Sequence, residues 1–221
     1  MVPIDLLQVY TDREPHGAAF NMALDEALLL EAEKPTLRFY RWEHPSLSFG
    51  YFGRFADVAG QVGKVDLVRR WTGGGIVPHG ADFTYSFIAP AGLLSAALAP
   101  HALYSRLHEG IARVLLAHGV DASLADADST TISDDCFVNS VRADVLVGGR
   151  KVAGAAQRRT RRGLLQQGSI QGLPLPASFA EQFAAALCPR IEEYKLKPAL
   201  QVRAGTLAKE KYATRAWLTS Y

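Results

Sequence analysis

The sequence predicts an α+β domain whose mixed, largely antiparallel sheet is flanked by helices. Its 221 residues are 48% hydrophobic and 21% charged, values that are ordinary for a soluble globular protein. This length corresponds to one large domain, and residues 1–221 are expected to form a single domain with no separate C-terminal accessory domain. Strand-like and helical segments do not alternate as βαβ units, which favours this fold class over a doubly wound parallel sheet.

The N-terminal half combines one helix with several short strands. Phe20, Leu24 and Leu28 recur every four residues, so residues 18–34 are predicted to form a helix with one apolar stripe. Pro35 ends this helix because proline is incompatible with a helix interior. Strands are predicted at residues 6–10, 36–42, 46–52, 66–71 and 82–88.

The C-terminal half contains a second long helix and a hairpin. Apolar residues repeat along one side of residues 102–118, and Gly119 follows as the expected C-cap. Gly148-Gly149 predicts a tight turn within a hairpin at residues 143–157. The remaining predictions are a loop at residues 126–135, a strand at 163–170, and short helices at 178–187 and 208–218.

Charge and cysteine content exclude several classes of protein. The 24 Lys and Arg residues nearly balance the 22 Asp and Glu residues, so no general attraction to nucleic acid or membrane is expected. Two cysteines, Cys136 and Cys188, are too few for a secreted disulfide scaffold. The first residues lack the features of a signal peptide, and prolines interrupt the apolar stretch at residues 83–105. We therefore expect a cytoplasmic protein with reduced thiols.

A glycine-rich segment after a predicted strand is the first candidate site. Gly73, Gly74 and Gly75 let the backbone approach a ligand closely, and their N–H groups can hold an anion or an oxyanion. Arg70 beside them is suited to a phosphate or carboxylate, and His79 follows four residues after Gly75. A plain connecting loop and a structural histidine remain alternatives.

Two further side chains suit acyl chemistry. Cys136 lies in a polar loop, where a thiol is more exposed than in a core. Lys151 follows the Gly148-Gly149 turn among small residues, so its ammonium can reach into a cleft. An idle thiol and a solvated lysine are the competing interpretations. The basic run at residues 158–162 predicts an exposed hairpin end, a docking surface for an acidic carrier protein or, remotely, an RNA-binding module.

Several segments in their order along the chain resemble the lipoate–biotin protein ligase superfamily, specifically its lipoate ligase and octanoyltransferase branch. These segments are Asn21–Glu26, Arg69–His79, Asp144–Gln157, Gln166–Ile170 and Lys211–Trp217. The second is similar to the family's acyl-binding loop, and the third contains the invariant family lysine at Lys151. The resemblance implies a catalytic domain like those of class II synthetases and biotin ligases.

The resemblance also implies roles for particular residues. In one group of octanoyltransferases a Cys-Phe pair precedes the family lysine, and Cys136-Phe137 precedes Lys151 in this chain. Cys136 and Lys151 are therefore the expected catalytic residues. The expected substrate-binding residues are Arg70, Thr72, Gly73, Gly74, Gly75, His79, Gly154 and Ala156. Because burying the methylenes of an octanoyl chain is favourable, a narrow apolar tunnel is expected, with Phe39, Tyr40, Tyr51 and Val77 as candidate lining residues.

The implied reaction moves an octanoyl or lipoyl group from acyl carrier protein, through a cysteine thioester, to a lysine of a lipoyl-domain protein. The implied acceptor is the glycine cleavage H protein or the E2 subunit of a 2-oxoacid dehydrogenase. This route requires no cofactor and no metal. The alternatives are a lipoate–protein ligase that uses ATP and Mg, a lipoyl amidotransferase, and a non-catalytic lipoyl-domain-binding module.

Overall fold

The computed structural model describes residues 4–93, 100–127 and 141–220, which form two sheets and five helices. The strands are β1 Leu7–Thr11, β2 Thr36–Tyr40, β3 Ser46–Phe49, β4 Asp66–Arg69, β5 Val77–His79, β6 Phe83–Pro90, β7 Ala122–Leu124, β8 Val145–Val147, β9 Arg150–Thr160, β10 Gly163–Ile170 and β11 Ile191–Glu193. The helices are α1 Ala18–Glu31, α2 Pro100–Ala117, α3 Phe179–Leu187, α4 Pro198–Leu207 and α5 Arg215–Leu218.

The larger sheet has eight strands in the order β11-β1-β2-β6-β10-β9-β8-β7. Its pairs are antiparallel from β2 to β7, whereas β1 is parallel to both β2 and β11. The smaller sheet has the order β4-β3-β5. The predicted α+β class with a mixed, largely antiparallel sheet is therefore confirmed.

Successive residues of the central strands point to opposite faces of the large sheet, as the pleat requires. Tyr85 and Leu164 face a core shared with α2 and α3. Leu165 faces α1 and α4 on the other side. Both faces of the central strands are consequently covered, and β10 is buried along its whole length.

Gly50, which follows β3 of the smaller sheet, lies in close backbone contact with Gly74 of the glycine-rich segment. A Cβ atom on Gly50 would lie 1.9 Å from the Gly74 carbonyl oxygen, so this position requires glycine. Gly74 itself adopts a φ of +85°, which favours glycine for a second reason. This close approach fixes the glycine-rich segment against the end of β3.

The predicted element boundaries shift where proline or a local cap intervenes. Helix α1 ends at Glu31 instead of residue 34, because the residue before Pro35 is restricted to extended backbone. The predicted helix at residues 208–218 is instead a π turn at Ala208–Tyr212 followed by α5. Thr214 separates them with extended backbone and accepts a hydrogen bond from the Trp217 amide.

A buried ion network joins α1 to the large sheet. Arg38 is fully buried and donates to Asp12 at 2.9 Å and to Asp25 at 2.8 Å. It also donates to the Asn21 side chain at 2.8 Å. Burying two carboxylates is tolerable only with such partners, so Arg38 determines how α1 sits on β2.

Helix α2, the longest in the described ranges, is followed by strand β7 of the large sheet. Among the residues that the structure describes, no helix has the length and apolar composition needed to cross a bilayer.

Candidate active site

A small, mostly apolar cavity with a volume of about 30 Å³ lies between the two sheets. The large sheet and α1 contribute one wall, and the small sheet and its flanking residues contribute the other. The lining residues are Met22, Tyr40, Trp42, Ser48, Arg70, Val77, His79, Thr84, Lys151, Gly154, Ala155, Ala156, Gln167, Gly168 and Ser169. Five of the residues predicted to be catalytic or substrate-binding thus line one cavity: Arg70, His79, Lys151, Gly154 and Ala156.

Lys151 reaches the cavity from the start of β9. The preceding turn is built by Gly148 and Gly149, with φ values of +56° and +75°, as the predicted hairpin requires. The Lys151 ammonium is 2.8 Å from the Asp144 carboxylate, and only 5% of the lysine side chain is exposed. Gly154 leaves room for it, since a Cβ atom there would lie 2.8 Å from the Lys151 Nζ.

Asp144 is held by several donors beside the lysine. The Tyr104 hydroxyl donates to its Oδ1, and the Val141 amide donates to its Oδ2 at 2.7 Å. Burial raises the pKa of Tyr104 far above its ordinary value, with Asp144 adding to the effect, so the phenol stays protonated. The lysine therefore has a fixed, fully buried counter-charge, which holds its ammonium at one place in the cavity wall.

A strained residue and a buried histidine support this carboxylate. Ala143 adopts a φ of +70°, a conformation that costs a residue with a side chain roughly 1 kcal/mol or more. The Nδ1 atom of His108 lies 2.7 Å from the Ala143 carbonyl oxygen, and the His108 ring packs edge-on against Tyr104. The backbone that presents Asp144 is thus fixed from the side of α2.

This buried histidine makes the stability depend on pH. Burial lowers the pKa of His108 from 6.5 to about 4. As the pH falls below 6.5, His108 becomes protonated in the unfolded chain, whereas in the folded chain it stays neutral until about pH 4. We expect His108 to contribute a loss of up to about 3 kcal/mol in unfolding free energy across that window. Urea unfolding between pH 7 and pH 4 measures it.

His108→Gln should flatten this pH dependence, whereas His118→Gln, at an exposed position, should leave it unchanged. Equal pH profiles for the parent protein and His108→Gln would contradict the assignment.

The opposite wall presents Arg70, Ser48 and His79. Arg70 donates to Ser48 Oγ at 2.6 Å and to the carbonyl oxygens of Gly73 and Gly75 at 3.0 and 2.8 Å. Ser48 Oγ lies 2.6 Å from His79 Nε2. Burial lowers the pKa of His79, and Arg70 acts in the same direction, so the ring is neutral at neutral pH.

The glycine-rich segment, predicted to bind substrate, lies beside the cavity and does not line it. Gly74 and Gly75 border a separate surface depression with Gly50 and Phe52, and Gly73 lines neither space. Two of the loop's carbonyl oxygens accept hydrogen bonds from Arg70. In this arrangement the loop holds the arginine in the cavity wall.

Thr72 contacts the cavity lining through the side chain of Gln167. Its hydroxyl donates to Gln167 Oε1 at 2.7 Å, and Gln167 Nε2 donates to Asp25 at 2.7 Å. The family that the sequence resembles often has histidine where Gln167 stands. Here the glutamine links the small sheet to the buried Arg38 network through Asp25.

Only two of the four residues predicted to line an acyl tunnel line the cavity. Tyr40 and Val77 line the cavity, but Phe39 faces the opposite core because adjacent strand residues alternate between faces. Tyr51 packs against Trp217 and Arg158 instead. Cys136 lies outside the described residues.

The role of Gly154 can be tested with a matched glycine. Gly154→Ala should displace the Lys151 ammonium and lower kcat/KM for acyl transfer by about 100-fold, since a misplacement of about 1 Å can have that effect. The melting temperature should fall as well, because the displaced ammonium is paired with the buried Asp144. Gly73→Ala should be nearly neutral, since nothing lies within 4 Å of its added Cβ. Similar activity losses in both variants would contradict this assignment.

Sequence inspection did not single out Ser48, Asp82, Tyr104 or Ser169 as site residues. Each looks like an ordinary polar residue of a strand, loop or helix. Only the pairing of distant segments brings Ser48 and Ser169 to the cavity and places Asp82 and Tyr104 beside residues that line it. The usable signal was strand alternation, which places Thr84 and Ser86 on the face that also carries Tyr40. Gln167 lines the cavity, and its only signal in the sequence was that it replaces the histidine often found in the family that the chain resembles.

Comparison with known proteins identifies the family of this chain. The Lipoyl protein ligase A/B catalytic domain family matches residues 17–204. Octanoyltransferase LipM of Oceanobacillus iheyensis is 39% identical over 170 residues, which cover 73% of this chain and 62% of that protein. Octanoyltransferase LipM of Bacillus cereus is 37% identical over 194 residues, covering 79% of this chain and 68% of the relative. This chain therefore spans about two thirds of the length of these relatives.

Solved structures share the fold at lower identity. A protein from T. acidophilum with bound lipoic acid superimposes with a TM-score of 0.76 at 20% identity, covering 98% of this chain and 99% of that one. A lipoate-protein ligase A bound with ATP gives a TM-score of 0.72 at 21% identity, covering 97% and 98%. With the family match spanning most of its length, the chain belongs to the lipoyl protein ligase A/B catalytic domain family, which is a family of enzymes.

Proposed function

We propose that this protein is an octanoyltransferase that moves an octanoyl group from acyl carrier protein to a lysine of a lipoyl-domain protein through a Cys136 thioester. The observation that carries this proposal is the mostly apolar cavity whose wall contains a buried lysine–aspartate pair. The similarity to two octanoyltransferases at 37% and 39% identity supports this branch of the family.

The apolar lining of the cavity suits an uncharged acyl chain, which the walls must part to admit. This lining includes Met22, Val77, Ala155 and Ala156. Each buried methylene contributes about 0.8 kcal/mol, so an octanoyl tail gains roughly 5 kcal/mol from leaving water. The Lys151 ammonium is already paired with Asp144 and the rest of the lining is mostly apolar, so the site favours a neutral tail over an anionic one.

The first step is formation of an acyl-enzyme. The Cys136 thiolate attacks the carbonyl carbon of the donor thioester, and a new carbon–sulfur bond forms as the bond to the carrier sulfur breaks. The carrier leaves as a thiolate and takes up the proton that the Cys136 thiol had lost. Lys151 donates to the carbonyl oxygen as negative charge develops on it. A well-placed donor of this kind typically contributes about 3 kcal/mol to transition-state stabilisation.

The second step transfers the acyl group to the acceptor. The neutral amine of the target lysine attacks the acyl-enzyme carbonyl, an amide bond forms, and the Cys136 thiol is released. Covalent catalysis divides one difficult transfer into two easier steps. Cys136 enters the proposal from sequence alone. It is five residues before Val141, whose amide donates to Asp144 beside Lys151.

Intact-mass spectrometry with octanoyl-acyl carrier protein tests this function. We expect the protein to gain the mass of one octanoyl group and to pass it to a lipoyl domain when one is added. Cys136→Ser should abolish the adduct. Cys188→Ser should retain it, because Cys188 is buried with its thiol donating to the Ile4 carbonyl oxygen at 2.9 Å.

An adduct that persists in Cys136→Ser would overturn the nucleophile assignment. Modification of the lipoyl domain only with lipoate and ATP, with release of pyrophosphate and no effect of Cys136→Ser, would instead assign the ligase reaction.

A further inference from the structure

Asp82 contacts both walls of the cavity, although the proposed chemistry assigns it no role. Its Oδ2 accepts hydrogen bonds from His79 Nδ1 at 2.7 Å, from Ser169 Oγ at 2.7 Å and from Thr84 Oγ1 at 2.9 Å. Its Oδ1 accepts from the Gly80 amide at 3.0 Å. His79 belongs to the small sheet, whereas Thr84 and Ser169 belong to the large sheet. One buried carboxylate thus ties the two sheets together.

The charges of this cluster determine where its protons lie. Burial alone would raise the pKa of Asp82, but donation by His79, Ser169 and the Gly80 amide outweighs it and lowers the pKa. Asp82 is therefore a carboxylate that can only accept. The neutral His79 ring must then carry its proton on Nδ1, which leaves Nε2 as an acceptor for the Ser48 hydroxyl.

A directed chain of hydrogen bonds follows from this tautomer. Arg70 donates to Ser48, Ser48 donates to His79, and His79 donates to Asp82. With the proton on Nε2, both Arg70 and His79 would point donors at Ser48, and the Asp82 carboxylate would lose one. Trp42 stacks on the His79 ring at 4.0 Å between centroids and covers one of its faces.

The other branch from Asp82 leads toward Lys151. Ser169 on β10 lies directly opposite Gly154 on β9. Gly154 is the residue whose missing Cβ leaves space for the Lys151 ammonium. The carboxylate that orients His79 therefore also anchors the strand pair against which Lys151 rests.

We propose that Asp82 is a positioning residue that fixes His79 as the Nδ1-protonated tautomer and sets the spacing of the two cavity walls. Only its kinetic consequence rests on the proposed octanoyl transfer. When Asp82 cannot accept hydrogen bonds from both sheets, the two walls are no longer held at a fixed spacing. The KM for the acyl donor then rises more than kcat falls.

The tautomer is measured first, on the unmodified protein without ligand. Nitrogen-15 NMR of protein labelled at histidine distinguishes a protonated from an unprotonated ring nitrogen, and His79→Gln identifies the resonance. We expect a protonated Nδ1 and an unprotonated, hydrogen-bonded Nε2. A protonated Nε2, or rapid averaging between tautomers, would overturn the proposal whether or not the protein transfers acyl groups.

Asp82→Asn then tests the coupling to catalysis. The asparagine amide can turn its donor toward His79, so we expect a shift toward the Nε2-protonated tautomer and a rise in KM of about tenfold. Asp57→Asn, which removes a carboxylate paired with Arg54 on the surface, is the matched control and should change neither. An unchanged tautomer, or a changed tautomer with unchanged KM, would overturn the proposal. If Asp82→Asn does not fold, the measurement on the unmodified protein decides.

Discussion

Replacing Lys151 by alanine is expected to lower kcat/KM for octanoyl transfer by at least about 100-fold. The ammonium is the only cationic group from β9 that lines the cavity among the residues described, and losing one such donor typically removes about 3 kcal/mol of transition-state stabilisation. Transfer of octanoyl from acyl carrier protein to a lipoyl domain measures the effect.

The same substitution leaves Asp144 as a buried carboxylate without its cation, so it also lowers stability. Breaking a buried pair by removing one partner typically costs about 3 to 5 kcal/mol. The double variant Lys151→Ala/Asp144→Asn should recover part of the unfolding free energy but none of the activity. Recovered activity in the double variant would contradict a direct role for the lysine in the reaction.

Arg38→Met is expected to lower the unfolding free energy by about 3 to 5 kcal/mol. The substitution leaves Asp12 and Asp25 buried at the junction of α1 and β2 with no charged partner from Arg38. Chemical denaturation measures it. Since Asp25 also accepts from Gln167, which lines the cavity, acyl-donor binding should weaken as well.

Lys34→Met is the matched control for this prediction. Lys34 pairs with Glu192 at 3.2 Å, and both side chains are nearly half exposed, so the loss should stay below about 1 kcal/mol. Equal losses from Arg38→Met and Lys34→Met would show that burial of the Arg38 network does not carry the stability.

The elements with a strong local pattern were predictable from the sequence. The apolar stripe of α1 and the paired glycines before β9 each indicated the observed structure. Helix α4 escaped prediction because only Leu200 and Ala204 on it are buried, too few for a clear stripe. Strand β5 contains Pro78, which is tolerated only because β5 is an edge strand of its sheet. Edge position depends on pairing, which sequence patterns do not contain.

The candidate site was partly predictable for a similar reason. Residue type indicated that Arg70, His79 and Lys151 suit acyl chemistry, and the structure brings them to one cavity. Composition cannot give the direction of a backbone: the glycine-rich segment turns carbonyl oxygens toward Arg70. Nor could it identify Asp82, whose importance arises from donors on two different sheets.

Strands β3, β4 and β5 occur in the chain between β2 and β6, which are direct neighbours in the large sheet. One cavity wall is thus a contiguous excursion of the polypeptide, and the wall with Lys151 comes from elsewhere. Chimeras that exchange residues 41–82 between relatives should change this wall alone and retain Lys151, the proposed catalytic lysine. Substitutions in this segment can therefore alter one side of the cavity without altering the pairing of β2 with β6.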